Sequence, residues 1–339
     1  MSIADPTVAP SPKRPFWGDD PWPFVVLAAV ALLPLVAIKP TTWLVLTVAG
    51  LAMGMMIFIM ASGLTLVFGL MGVINFGHGA FISLGAFLGA TVLLRMGAWT
   101  GVDSIAMNLL AVVPAMVFAV AVTGALGWAF ERAIIRPVYD NHLKQILVTI
   151  GGIIVAEQMI HVVWGPDQIA LPRPTAFKGA LGYGEIVFEK YRLLACVLGL
   201  AVFVGLHYML NRTKLGLLIR AGVENGPMVE ALGYRIRLLF VLVFVAGSAL
   251  AGLGGVMWGL YQELITAGMG MEVMVLVFIV IIVGGLGSVG GCFMGAILVG
   301  LVANYTGYLA PKIALASNIG LMVAILMWRP QGLFPVIRQ

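Results

Sequence analysis

The sequence predicts an all-α integral membrane protein, a polytopic helical bundle of about eight to ten transmembrane helices, some of them short or broken. The first observation behind this is composition. Of 339 residues, 61% are hydrophobic and 10% charged, and the mean hydropathy is +1.08, whereas soluble domains carry roughly 25% charged residues. The second is where the charges are missing. No Asp, Glu, Lys or Arg occurs from Pro40 to Leu94, Ser104 to Phe130, Leu193 to Asn211, Leu238 to Gln262, or Val273 to Pro311. A bilayer-spanning helix needs about 20 apolar residues, so each run holds one span and the longest hold two or more. The third is where the charges gather: on the connections, with a bias to one side.

In chain order, residues 1–23 are polar and Pro-rich, with Lys13, Arg14, Asp19 and Asp20, and read as a cytoplasmic tail without a cleavable signal. The body, 24–329, divides into crossings at 24–39, 43–63, 72–94, 104–130, 144–164, 192–210, 238–262, 271–286, 291–308 and 313–328. Residues 330–339 form a short C-terminal tail. Even parity places both termini on one side. Taking that side as cytoplasm gives it 12 of the 19 lysines and arginines, as the positive-inside rule requires. The same rule accounts for the net charge of +5 without a nucleic-acid partner. Residues 165–191 then lie outside, as a small hairpin or a platform, and residues 211–237 lie inside.

Several stretches carry polar or flexible chemistry inside this apolar frame. "GVINFGHGAFISLGAFLGA" (72–90) holds Asn75, Gly77, His78 and Gly79 where the third span begins. Gly85 and Gly89, with Ala86 and Ala90, make a small-residue face that lets helices approach closely. Asn75 and His78 read in three ways: as packing contacts to a neighbouring helix, as contacts to a permeating solute at a helix break, or as parts of a gate. Glu157 and His161 stand one turn apart, either reaching the interface or lining an outer vestibule. "GGLGSVGG" (284–291) lacks the Lys-Ser/Thr ending of a P-loop and reads as a tight turn between short helices, while 264–272 reads as an outer turn. Cys196 and Cys292 lie in separate apolar spans with no Cys/His cluster, so neither a metal nor another cofactor is expected. The chain has no ATP-hydrolysing motif, so it is not expected to hydrolyse ATP by itself.

The inner connection contains a short helix. Gly226 precedes Pro227, which suits a first helical position, and Gly233 suits a left-handed stop. Between them Met228, Val229 and Leu232 offer apolar contacts beside Glu230 and Ala231. So short a helix needs a surface to lie against, either the membrane or a cytoplasmic partner.

The order "GPMVEALGYRI" resembles a divergent EAA loop of ABC-importer permeases, with Leu232 at the third position and Gly233 arriving early. "SGLTLVFGLMGVINFGHGAFISLGAF" (62–87), "NRTKLGLLIRAGVENGPMVEALGYRI" (211–236), "ALAGLGGVMWG" (249–259), "GGLGSVGGCFMGAILVG" (284–300) and "RPQGLF" (329–334) resemble, in order and separation, the LivH branch of the branched-chain amino-acid permeases. The resemblance covers most of the chain after residue 45. It implies a permease subunit of an ABC importer in a bacterial inner membrane, paired with a LivM-like subunit or a second copy of itself. It further implies two ATPase subunits docked on Pro227, Met228, Glu230, Ala231, Leu232 and Gly233, and a periplasmic solute-binding protein outside. The solute would be a branched-chain or hydrophobic amino acid, though relatives of this family also import urea, amides and small carboxylates. An ion-gradient-driven transporter or channel is the alternative. It would need an intramembrane acidic residue, and such residues are scarce in these runs. A purely structural membrane subunit would not need so elaborate an inner loop.

Overall fold

The computed structural model describes residues 21–139, 141–183, 186–224 and 226–334. Most of the expected N-terminal tail and the last five residues of the C-terminal one lie outside them. The chain forms α1 (Trp22–Leu32), α2 (Pro40–Met71), α3 (His78–Arg95), α4 (Gly97–Thr100), α5 (Ile105–Phe130) and α6 (His142–Trp164). After a loop come α7 (Lys190–Arg212), α8 (Lys214–Glu224), α9 (Gly226–Ala231), α10 (Ile236–Gln262), α11 (Met269–Gly284), α12 (Val289–Leu309) and α13 (Ala314–Trp328). Among the described residues seven helices are long and apolar enough to cross a membrane: α2, α3, α5, α6, α7, α10 and α12. Three shorter apolar helices, beginning at Trp22, Met269 and Ala316, occupy the remaining expected crossings.

Two boundaries differ from the sequence reading. α2 does not stop near residue 63 but continues to Met71, and the next helix begins at His78, not at 72. Within an uncharged run nothing marks a span's end except backbone chemistry. The helix propagates through "LTLVFGLM" until Gly72 takes a left-handed φ of 63° and its N–H closes on the Phe68 carbonyl. The 284–291 stretch forms the expected turn. Gly285 and Gly287 have φ of 104° and 84°, and Ser288 Oγ accepts the Gly291 N–H at 3.0 Å to start α12.

The buried centre is α2, α3, α10 and α12, with α5 packed against α10 and α3. Lipid tails are as apolar as leucine, so these helices gain little from burial and must associate through close packing. Glycine makes that possible. Gly63 lies on the Gly247 backbone, Gly85 on Gly252, and Gly54 on Ala296. α6 and α7 sit outside this centre and turn most of their apolar surface outward, including Ile154, Val155 and Val162 of α6.

The 165–191 loop folds as a small platform. Strand β1 (Ile169–Ala170) pairs antiparallel with β4 (Leu264–Ile265), and β2 (Ala180–Tyr183) pairs with β3 (Ile186–Glu189). Arg173 ties the platform to the end of α10. Its Nε and Nη2 donate to the carbonyls of Leu260 and Tyr261 at 3.0 and 2.7 Å, and Nη1 donates to Glu189 at 3.2 Å. Nε also lies 3.0 Å from Glu263, and the guanidinium stacks over the Tyr191 ring. Glu263 is the one described non-glycine residue with positive φ, 59°, as the residue that ends α10. A lysine has neither the fork nor the plane to make these contacts together. Arg173→Lys is therefore expected to cost about 1.5–3 kcal/mol, the scale of hydrogen bonds lost from a charged group, visible as a lower thermal midpoint of the purified protein.

Candidate translocation and coupling sites

The run between α2 and α3 gathers the polar residues that the sequence singles out, and the structure treats each differently. His78 Nε2 lies 2.9 Å from the Met60 carbonyl. A carbonyl only accepts, so Nε2 carries the hydrogen and the ring ties α3 back to α2. Gly79 gives its backbone to Gly270, at the start of α11, with no room for a side chain. Gly77 is hemmed in by the Phe130 ring, the Thr149 carbonyl and Asn75 Oδ1, the last 3.1 Å from where a Cβ would stand. Asn75 is 1% exposed, and neither its Nδ2 nor its Oδ1 has a hydrogen-bond partner. His78 thus makes a packing contact to a neighbouring helix, whereas Asn75 makes no hydrogen bond to one.

Two helices begin here side by side. Ser83 Oγ donates to the Ala267 carbonyl at 2.8 Å and accepts the Gly270 N–H at 2.9 Å, which caps α11 from α3. Against this pair lies α6. Phe76 N–H donates to Thr149 Oγ1 at 3.2 Å, and Trp164 Nε1 donates to Thr91 Oγ1 at 2.8 Å. Glu157 is half-buried, with Oε1 beside Gly268, the residue that opens α11.

Sequence reasoning missed Gln145 and Thr149, both 1% exposed or less. A signal was present: Gln145, Thr149, Ile153, Glu157 and His161 follow one another at intervals of four along α6. Gln145 Nε2 caps the preceding turn through the carbonyls of Val138 and Tyr139, while its Oε1 and His161 Nδ1 are buried without partners. Glu131 was also missed. It is 2% exposed in a π-turn (Glu131–Ile135) that extends α5, and Tyr139 donates its phenol hydrogen to it. Burial, reinforced by Glu131, pushes the Tyr139 phenol well above its usual range, so it stays protonated and able to donate.

The second site is α9. Its end is a Schellman closure: Tyr234 N–H bonds the Val229 carbonyl at 3.2 Å and Gly233 N–H bonds Glu230 at 2.9 Å, with Gly233 at φ 87°. Pro227 is its second residue, since the helix begins one residue earlier than expected, at Gly226. Val229 is buried, whereas Met228, Glu230, Ala231 and Leu232 are exposed. α9 packs on α8 and α10, and Val229 joins Leu215, Leu218, Tyr234 and Ile236 around an apolar groove of about 310 Å³. Thr213 Oγ1 accepts the Gly216 N–H at 3.3 Å and starts α8.

Comparison with known proteins decides the family. The family described as "Branched-chain amino acid transport system / permease component" matches residues 46–327. The chain belongs to it. This permease is similar to the high-affinity branched-chain amino acid transport system permease protein BraD of Pseudomonas aeruginosa, 29% identical over 293 residues that cover 84% of this chain and 94% of the relative. LivH of Escherichia coli K12 is 26% identical, covering 84% of this chain and 92% of the relative. LivM of the same organism is also 26% identical, covering 84% of this chain and 69% of its own length. No solved structure matches the permease. It is thus a multi-pass membrane permease subunit of the LivH type, and its family is one of transport subunits, not ATPases.

Proposed function

We propose that the permease forms part of the translocation path of an ABC importer for branched-chain or other hydrophobic amino acids, or for a related small neutral or zwitterionic solute, in a bacterial inner membrane. Both termini face the cytoplasm in this reading. Two ATPase subunits supply the energy, a second permease subunit (LivM-like or another copy) completes the path, and a periplasmic binding protein delivers solute. The observation that carries the reading is α9. A six-residue helix, closed by a glycine stop and seated through the buried Val229, presents Met228 and Glu230 outward, with Leu232 exposed just past its end. Such a helix is rigid enough to transmit a push and offers a partner an apolar pair flanking one charge. When ATP closes the ATPases, the displacement of α9 passes through α8 and α10 into the bundle and shifts this subunit as a body against its partner. Asn75 and the backbone at Gly77 border the path, with His78 and Gly79 holding that segment in place.

The test is ATP-driven uptake of radiolabelled leucine into proteoliposomes containing the whole complex and its binding protein, with Glu230→Arg as comparison. The wild type is expected to accumulate leucine. Glu230→Arg is expected to lose both uptake and co-purification of the ATPases. Uptake by this chain without any ATPase would replace the importer with a secondary transporter. A complex that binds ATPases but ignores leucine would turn the search to urea, amides and small carboxylates.

A further inference from the structure

Asn75 is a costly residue to keep where it is. A buried amide with neither end paired destabilises a fold, and an apolar residue of similar shape would avoid the cost. Packing therefore does not account for it, and its position suggests what does. Oδ1 lies against Gly77, which immediately precedes α3, so the carboxamide stands at the N-terminus of an 18-residue helix. There the first backbone N–H groups point outward and the helix dipole favours negative charge. Neither Gly77 nor Asn75 caps that helix with a side chain. The neighbouring wall of α6 repeats the pattern, since Gln145 Oε1 and His161 Nδ1 are also buried and unpaired one and three turns from Thr149. Unpaired polar atoms thus recur along the stripe of α6 that carries Thr149, while the opposite side of α6 is apolar and exposed.

We infer that Asn75 and the amide groups opening α3 grip the main chain of a zwitterionic α-amino acid as it passes along the α3–α6 seam. The chemistry is a two-point match. Nδ2 donates to the solute's carboxylate, which also meets the positive end of α3, and Oδ1 accepts from the ammonium group two bonds away. Because this contact engages only the main chain, it is indifferent to which aliphatic side chain the solute carries. Access requires the seam to part. α6 is held across it by two side-chain hydrogen bonds among the described residues, at Thr149 and Trp164, and it lies at the edge of the bundle.

This inference rests on the importer reading and is tested in the same proteoliposomes, with the full complex and its binding protein. Three variants are compared: Asn75→Leu and Asn75→Ala, which remove both polar atoms, and Asn75→Asp, which keeps the shape but replaces the donor by an acceptor. Each is expected to lower leucine uptake about tenfold or more, the scale of one lost charge-assisted hydrogen bond, with the ATPases still bound. Asn75→Leu or Asn75→Ala is expected to keep or raise the thermal midpoint of the complex, because an unpaired buried amide has been removed. Undiminished uptake in these variants overturns the inference, as does a lowered midpoint in both apolar variants, which would make Asn75 structural. If the wild-type complex itself takes up no leucine, the solute assignment of the importer fails first. If the wild type transports and the variants match it, only the role of Asn75 fails.

Discussion

Replacing Gly85 by valine is expected to abolish folded permease in the membrane. At this position the α3 and α10 backbones touch, and a Cβ on Gly85 would overlap the Gly252 backbone. The neighbouring contacts give no relief. Gly255 lies on the Ile82 carbonyl, Gly259 is closed in by Ile265 and Ala86, and Gly252 itself is pressed by Thr123 from α5. A flexible side chain can swing aside, but backbone cannot, so the two helices must separate. Overpacking in a well-filled core costs about 1–3 kcal/mol where side chains absorb it. Here separation breaks the whole seam, and with it the dispersion contacts that hold helices together in lipid. The check is the amount of monodisperse protein recovered in detergent after expression. Gly320→Val is the comparison, because that glycine is exposed and nothing lies within reach of an added Cβ. Gly320→Val is expected to behave as wild type. Normal recovery of Gly85→Val would mean that α3 and α10 can pack another way.

This seam shows what kind of information the sequence holds. Gly85 and Gly89 are legible as a small-residue face because helical spacing is local, and their partners in "ALAGLGGVMWG" carry the same spacing. The crossings are legible for the same reason, since charge is missing over lengths set by the bilayer. Ends inside an uncharged run are not. The extra eight residues of α2 beyond the expected end depend on Gly72, one of three glycines between 69 and 77, and nothing local says which will turn left-handed. The two-residue pairing of β1 with β4 joins segments nearly a hundred residues apart and leaves no pattern in either. At the candidate sites the division is similar. The α9 stop at Gly233 could be placed from residue types. The contrast between His78, satisfied by a carbonyl of α2, and Asn75, satisfied by nothing, emerges only when three helices meet. Glu131 ends an uncharged run, and nothing local in the sequence shows that a π-turn and Tyr139 bury it.

The coupling reading leads to the second large effect, at Leu232. This side chain is 71% exposed, and only its backbone serves the fold, through the N–H that closes on Met228 at 3.1 Å. Aspartate keeps that backbone bond. Exposed substitutions away from special features usually change stability by less than about 0.5 kcal/mol, so Leu232→Asp is expected to leave the thermal midpoint of the isolated permease unchanged. Its effect belongs to the interface. An apolar anchor buried at a protein interface commonly contributes about 2 kcal/mol or more, about thirtyfold in affinity, and a carboxylate there adds the cost of burying an unpaired charge. ATPase subunits should therefore no longer co-purify, and ATP-driven uptake should fall with them. Val229→Asp separates the two roles of the helix. Val229 is 4% exposed within the groove between α8 and α10, so its replacement should lower the permease's own stability before any partner is added. If Leu232→Asp retains its ATPases and its uptake, α9 is a connector on the membrane surface and coupling must enter elsewhere on the cytoplasmic side. If it loses both while Val229→Asp alone destabilises, the outward face of α9 is where the ATPase pushes and the inward face is where the bundle receives the push.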